Sequence, residues 1–351
     1  MSTTLEPTSE PPPTAIDERL AKVSFLTKLL QRPELGAMIG AGVVLIFFAV
    51  TAERFGTLSG IARWTDVAST LGIMAVAVAL LMIGGEFDLS AGAMIGSSGL
   101  LLGYLATFQD LNVWPAMAIV ILFGLAVGFV NGLVVIRTNL PSFIVTLATF
   151  FVLQGVNAAL TLNLTGTTAI QEIDSATGFE TARRLFASEI TQYDFKVKVL
   201  WWIGLTLVGA WLLAKSRFGN WIYSAGGDPV AARNVGVPVA RTKITLFMMT
   251  SGVAALMGII TALELRSIQA KEGIGLEFIF IICAVVGGCL LTGGYGSVLG
   301  TFFGAAMLGM VQLGIVYAEW DSNWTFTFQG AILFAAVMLN TVIRSRAQRA
   351  R

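Results

Sequence analysis

The chain has 351 residues, 56% of them hydrophobic and only 12% charged, with 22 basic and 21 acidic side chains and a net charge of +1. Soluble domains carry about 25% charged residues, so this chain cannot cover its own surface with water-compatible groups, and lipid is the expected partner of that surface. The near-zero net charge gives no reason to expect nucleic acid, and the absence of histidine removes the commonest general base, metal ligand and proton relay.

In chain order, residues 1–35 read as a cytoplasmic tail. Met1 to Pro13 is rich in Ser, Thr and Pro and lacks the basic start and apolar stretch of a cleavable signal. Around 20–32, Arg19, Lys22, Lys28 and Arg32 mix with Leu20, Val23, Phe25, Leu26, Leu29 and Leu30. That pattern suits an amphipathic helix on the membrane surface and a solvated linker helix equally well. A hydrocarbon core about 30 Å thick needs roughly 20 apolar residues per crossing helix. Runs of that kind occur near 36–52, 67–84, 91–108, 113–136, 142–162, 197–214, 243–263, 276–291, 297–317 and 325–343, so a membrane domain of about ten helices is predicted over 36–343. A basic tail follows at 344–351. The fold class predicted is an all-α integral membrane protein.

Alternating ten spans from a cytoplasmic N-terminus puts 14 of the 22 basic residues in cytoplasmic segments, among them Arg137, Lys215, Arg217, Arg233, Arg241 and Lys243. The positive-inside rule then places both termini in the cytoplasm and the longest connection, 163–195, outside. Many of the 38 glycines fall inside spans. Gly84 and Gly85, Gly124 and Gly128, Gly287 and Gly288, and Gly300 and Gly304 read as close helix contacts. Gly84-Gly85 ahead of Asp88-Leu89-Ser90 resembles Gly293-Gly294 ahead of Gly296-Ser297, as an internal duplication would leave it. Cys283 and Cys289 point in different directions on a helix and read as packing residues.

Three features carry chemistry. In the first, Asp228 is a suitable N-cap, Pro229 suits the first helical position, Val230, Ala231, Ala232, Arg233, Asn234 and Val235 give about two turns, and Gly236 followed by Pro238 stops them. This short helix lies on the basic side between two spans, with Ala231, Ala232 and Val235 expected to face a partner. It serves as a point of force transmission or as an ordinary loop helix. In the second, Glu86 and Asp88 stand between apolar runs, where a charge at the bilayer centre costs at least about 2.5–3.5 kcal/mol, so they should face a cavity or an interface. Asp88 and Ser90 suit capping of the next helix, gating and proton coupling alike. The third is a set of polar residues on spans: Asn131, Ser142, Thr146, Thr149, Gln154, Asn157 and Gln312. Neutral groups of this kind line a path for a hydroxylated solute or join helices to one another. A Walker A loop, Gly-x-Ser-x-Gly, His-Glu-x-x-His and paired-cysteine motifs are all missing from the sequence.

From about 65 to 343 the chain resembles the permease subunits of bacterial ABC importers of the ribose, xylose and arabinose type. The resemblance rests on Ile83-Gly84-Gly85-Glu86-Phe87-Asp88-Leu89-Ser90-Ala91-Gly92, on Ile222 through Val237, and on Ala284-Val285-Val286-Gly287-Gly288 with Leu291 through Thr301. Glu86 stands where a second glycine is more usual in that family, and the 163–195 loop is long. The resemblance implies a fold similar to the permease of the vitamin B12 importer. It implies a bacterial inner-membrane location and a pathway shared by two permease copies. It also implies two ATPase subunits docked on 228–236 and a periplasmic or lipid-anchored binding protein. ATP and Mg would then be held by the ATPase, with no cofactor in this chain. A monosaccharide or related polyol is the expected solute. Nucleosides and branched-chain amino acids, carried by distantly similar permeases, and an ion-coupled carrier using Glu86 and Asp88 are the other readings.

Overall fold

The structure, a computed structural model, describes residues 33–190 and 193–349, with side chains as far as Met338. The tail up to Arg32, its expected amphipathic helix and the side chains of 344–351 lie outside the described residues. Thirteen α-helices follow in order: α1 Pro33–Thr51, α2 Leu58–Ile83, α3 Ala91–Gly103, α4 Val113–Thr138, α5 Ser142–Thr165, α6 Phe179–Phe186, α7 Val197–Lys215, α8 Arg217–Gly227, α9 Pro229–Asn234, α10 Val239–Leu265, α11 Leu276–Val286, α12 Val298–Tyr317 and α13 Trp324–Arg349. A π turn, Tyr104–Phe108, prolongs α3. Each of the ten predicted spans contains a helix. Eight helices among the described residues are long and apolar enough to cross a membrane, and α11 and the described part of α13 are shorter apolar helices. The protein is an all-α integral membrane protein.

Two layers organise the bundle. Helices α2, α3, α10 and α12 are mostly buried, whereas α1, α4, α5 and α7 bury a minority of their residues. The outer helices turn Val50, Phe151, Val152 and Trp211 outward. Close approach of the layers depends on small residues. A Cβ on Gly128 would lie 2.4 Å from the Phe247 carbonyl oxygen of α10, and one on Gly124 would lie 2.6 Å from Ala255 Cβ. Trp202 of α7 stacks on Phe302 of α12 with ring centroids 4.1 Å apart, and its indole fills the space where a Gly72 side chain would stand. Cys283 and Cys289 are free and buried.

The expected span 276–291 is cut short. Helix α11 has 11 residues, about 16 Å at 1.5 Å per residue, because Gly287 and Gly288 terminate it. The same termination closes α2. The amides of Gly84, Gly85 and Glu86 donate to the carbonyls of Leu80, Met82 and Leu81, and those of Gly287, Gly288 and Cys289 donate to Cys283, Val285 and Ala284. Gly85 and Gly288 are left-handed, at φ 83° and 92°. This is the Schellman pattern, in which a left-handed glycine lets the last carbonyls be satisfied. The counterpart of Gly84-Gly85 is therefore Gly287-Gly288, not Gly293-Gly294 as the sequence likeness suggested.

The described residues of the 163–195 connection fold over the end of the bundle opposite α9. Ala169–Ile170 pairs antiparallel with Ile268–Gln269, and α6 buries Phe179, Ala182 and Phe186.

Candidate functional site

The loop helix forms as its residues dictate. Asp228 Oδ1 accepts from the amides of Val230 and Ala231, each at 2.9 Å. Pro229 takes the first position. Val235, Gly236 and Val237 donate to Ala231, Arg233 and Ala232, with Gly236 at φ 86°. The helix has one protein-facing residue: Ala232 is buried against Ala225 and Val239. The expectation that Ala232 faces a partner is thus corrected. Val230 and Val235 are 66% and 80% exposed, and Ala231, Arg233 and Asn234 are exposed with them. A six-residue helix docked by one alanine presents most of its surface outward.

The break between α2 and α3 exposes backbone amides that lipid cannot satisfy, and the first turns of α5 supply their acceptors. Phe87 N–H donates to Ser142 Oγ at 3.0 Å and Leu89 N–H to Thr146 Oγ1 at 3.1 Å. Ser90 donates its amide to Asp88 Oδ1 at 2.9 Å, and its hydroxyl donates to the same oxygen. The chain of bonds continues through Asn131 Nδ2 to Ser90 Oγ at 3.0 Å and Thr149 Oγ1 to Asn131 Oδ1 at 2.7 Å. Ser251 Oγ reaches Asp88 Oδ2 at 3.4 Å. Asp88 therefore closes its own turn and does not cap the first amides of α3. Glu86 is paired with Lys243 of α10. Asn157 joins α5 to α3 separately, accepting from Ser97 at 2.8 Å and donating to the Ala93 carbonyl at 3.2 Å. Gln154 and Gln312 are half-buried outside this network.

The three quoted motifs meet at one place. Gly294 N–H donates to the Ile83 carbonyl at 2.8 Å, joining the break after α2 to the break before α12. Gly226, at the end of α8, is wedged between them: a Cβ there would lie 1.9 Å from Ile83 O and 2.7 Å from Gly294 N. One on Gly293 would lie 2.6 Å from Gly85 Cα. Tyr223 Oη adds a bond to the Gly296 carbonyl at 2.9 Å.

At the opposite end lies a cluster that sequence reasoning missed. Lys198 Nζ sits 2.8 Å from Asp66 and 2.8 Å from Glu264, and 3.0 Å from Thr70 Oγ1. Lys196 pairs with the same two carboxylates. The four charges tie α7 to α2 and α10 beside a cavity of about 190 Å³ that Thr70, Thr261, Glu264 and Glu272 also line. Its only sequence signal is that Asp66 and Glu264 fall near span ends where lipid would be costly.

A bundle of apolar helices, broken by buried, hydrogen-bonded glycine turns and carrying a short exposed helix at one end, defines a multispan membrane protein. The sequence profile described as "Branched-chain amino acid transport system / permease component" matches residues 60–337, and the chain belongs to that family. It is 31% identical to the inner membrane ABC transporter permease protein YjfF of Escherichia coli over 77% of this chain and 80% of that one. It is 27% identical to the ribose import permease protein RbsC of Escherichia coli over 90% and 96% of the two chains. With the galactose/methyl galactoside import permease protein MglC of the same organism the identity is 29%, over 93% and 98%. No solved structure matches the chain.

Proposed function

We propose that this chain is the transmembrane subunit of an ATP-driven importer for a monosaccharide or related polyol in a bacterial inner membrane. The observation that carries the reading is α9: a capped helix with Val230, Ala231 and Val235 exposed, attached where the breaks after α2 and before α12 converge. Such a helix has the form needed to receive force from a separate ATPase. Relatives named for ribose and galactose import support the solute class. The excess of basic residues at the α9 end supports a cytoplasmic position for that end and for both termini. A second permease copy would complete the pathway, two ATPase subunits holding ATP and Mg would grip α9, and a periplasmic or lipid-anchored binding protein would deliver the solute from the other side.

The ion-coupled alternative has less to work with. Glu86 is held by Lys243, and Asp88 is engaged by Ser90 and Ser251. Nucleosides and branched-chain amino acids remain competing solutes. The test is uptake in proteoliposomes containing the permease and its ATPase, with the binding protein first screened against sugars, polyols, nucleosides and branched-chain amino acids. Uptake is expected to stop when the ATPase loses its catalytic residues and to survive collapse of the proton gradient at constant ATP. Uptake that follows the proton gradient overturns the reading.

A further inference from the structure

We propose that Gly226, with Tyr223, forms a mechanical joint that carries displacement of α9 to two glycine turns at once, Gly84-Gly85 after α2 and Gly293-Gly294 before α12, and through the first turn to the Asp88–Ser90–Asn131–Thr149 network. The inference rests on the reading of α9 as the ATPase-docking helix and specifies the route by which docking reaches the membrane interior.

The route is built from contacts without slack. Helix α9 is held by Ala232 against Ala225 of α8 and Val239 at the start of α10, so its displacement is passed to both. Beside that contact, at the junction of α8 with α9, Gly226 lies backbone to backbone against Ile83, Gly84 and Gly294, with no room for a methyl group. Backbone contacts of this kind cannot absorb motion by changing a rotamer, as flexible side chains do. The Gly294-to-Ile83 bond locks the two turns to each other, and Tyr223 ties α8 to the second turn through Gly296. Beyond the first turn, amides 87, 89 and 90 are held by Ser142, Thr146 and Asp88. Ser90 passes the connection to Asn131 of α4 and Thr149 of α5. A push on α9 therefore reaches α3, α4 and α5 through the Gly226 contact and the hydrogen bonds beyond it, and α12 through the second turn.

The joint is tested on the permease assembled with its ATPase, using Thr149→Cys as reporter. Thr149 is half-buried at the far end of the route, and native Cys283 and Cys289 are buried. The probe is a small thiol reagent, applied to nucleotide-free and ATP–vanadate-trapped complexes, so no transported solute is needed. The modification rate is expected to differ between the two states about fivefold or more, the lower range of ordinary coupling between sites. Gly226→Ala is expected to erase most of that difference while the ATPase still co-purifies. Gly227→Ala, whose added methyl would have its nearest neighbour at 3.9 Å, is expected to preserve it. Tyr223→Phe removes one hydroxyl without adding volume and is expected to reduce the difference, which covers the case in which Gly226→Ala does not fold. No state dependence at Thr149→Cys, or a dependence that Tyr223→Phe and a folded Gly226→Ala leave unchanged, overturns the joint. Failure of the docking reading looks different: the ATPase would co-purify undiminished with Val235→Arg.

Discussion

Lys198 Nζ lies 2.8 Å from Glu264 Oε2 although the two residues are 66 positions apart in the chain. The ammonium also reaches Asp66 at the same distance, and its side chain is 5% exposed. Removing Lys198 leaves Asp66 and Glu264 to share the Lys196 ammonium, one negative charge in excess, at a cost up to the roughly 3–5 kcal/mol of a broken buried pair. Lys198→Met is therefore expected to lower the thermal unfolding midpoint of the purified protein in detergent sharply, and Lys198→Met with Glu264→Gln to recover part of the loss. A midpoint for Lys198→Met equal to that of the wild type would show the cluster to be solvated and unimportant.

Asn131 bridges Ser90 and Thr149 within the bundle. Thr149→Val removes one hydrogen bond and leaves half of the Asn131 amide unmet, so a loss of about 1–3 kcal/mol is expected. Asn131→Leu is expected to cost a similar amount. The double variant should cost less than the sum, because the two groups share one bond. Strict additivity in denaturant or thermal unfolding would separate the two residues energetically.

The α9 helix separates folding from docking. Asp228→Ala loses a cap worth about 0.5–2 kcal/mol and should leave partial transport. Gly236→Val is expected to be worse, since a β-branched residue resists the left-handed conformation held there at φ 86°. Ala232→Trp is expected to displace the whole helix, because that methyl packs against Ala225 and Val239. Val235→Arg changes only exposed surface and should abolish ATPase co-purification at normal membrane abundance. Intact complexes with Val235→Arg would make α9 a plain linker.

Orientation has a direct measurement. Glu180 on α6 and Val230 on α9 are both exposed and sit at opposite ends of the bundle. Cysteines at 180 and 230 should react with an impermeant thiol reagent from opposite sides of the membrane, 230 from the cytoplasm. Labelling of both from one side contradicts the ten-span arrangement.

The spans were readable because bilayer thickness fixes helix length, and α9 was readable because Asp228-Pro229 and Gly236 are local signals. What Ala232 faces was not, since a helix of under two turns has no periodicity to separate its sides. The pairing of Gly85 with Gly288 was hidden for a related reason: a left-handed φ leaves no mark in the sequence beyond glycine itself, and Gly293-Gly294 offered the same letters. The partners of Ser142 and Thr146 were also out of reach, because they are main-chain amides of a distant turn. The Asp66–Lys198–Glu264 cluster looked like scattered charges at span ends until α7 was placed between α2 and α10.

The shortness of α11 bears on how water meets this protein. About 16 Å of helix cannot cross a hydrocarbon layer of about 30 Å, so non-helical backbone flanking α11, at 266–275 or at 287–297, must lie inside that layer. Bare peptide groups are not tolerated against acyl chains, so that stretch must be walled off by protein or open to a hydrated recess. The amides of Gly293 and Gly294 each have a carbonyl partner, Leu290 and Ile83 respectively. Deuterium uptake tells the two surroundings apart. Slow exchange across 287–297 in the resting complex, accelerating when nucleotide is trapped, would make this buried elbow a place where the bilayer is alternately sealed and wetted.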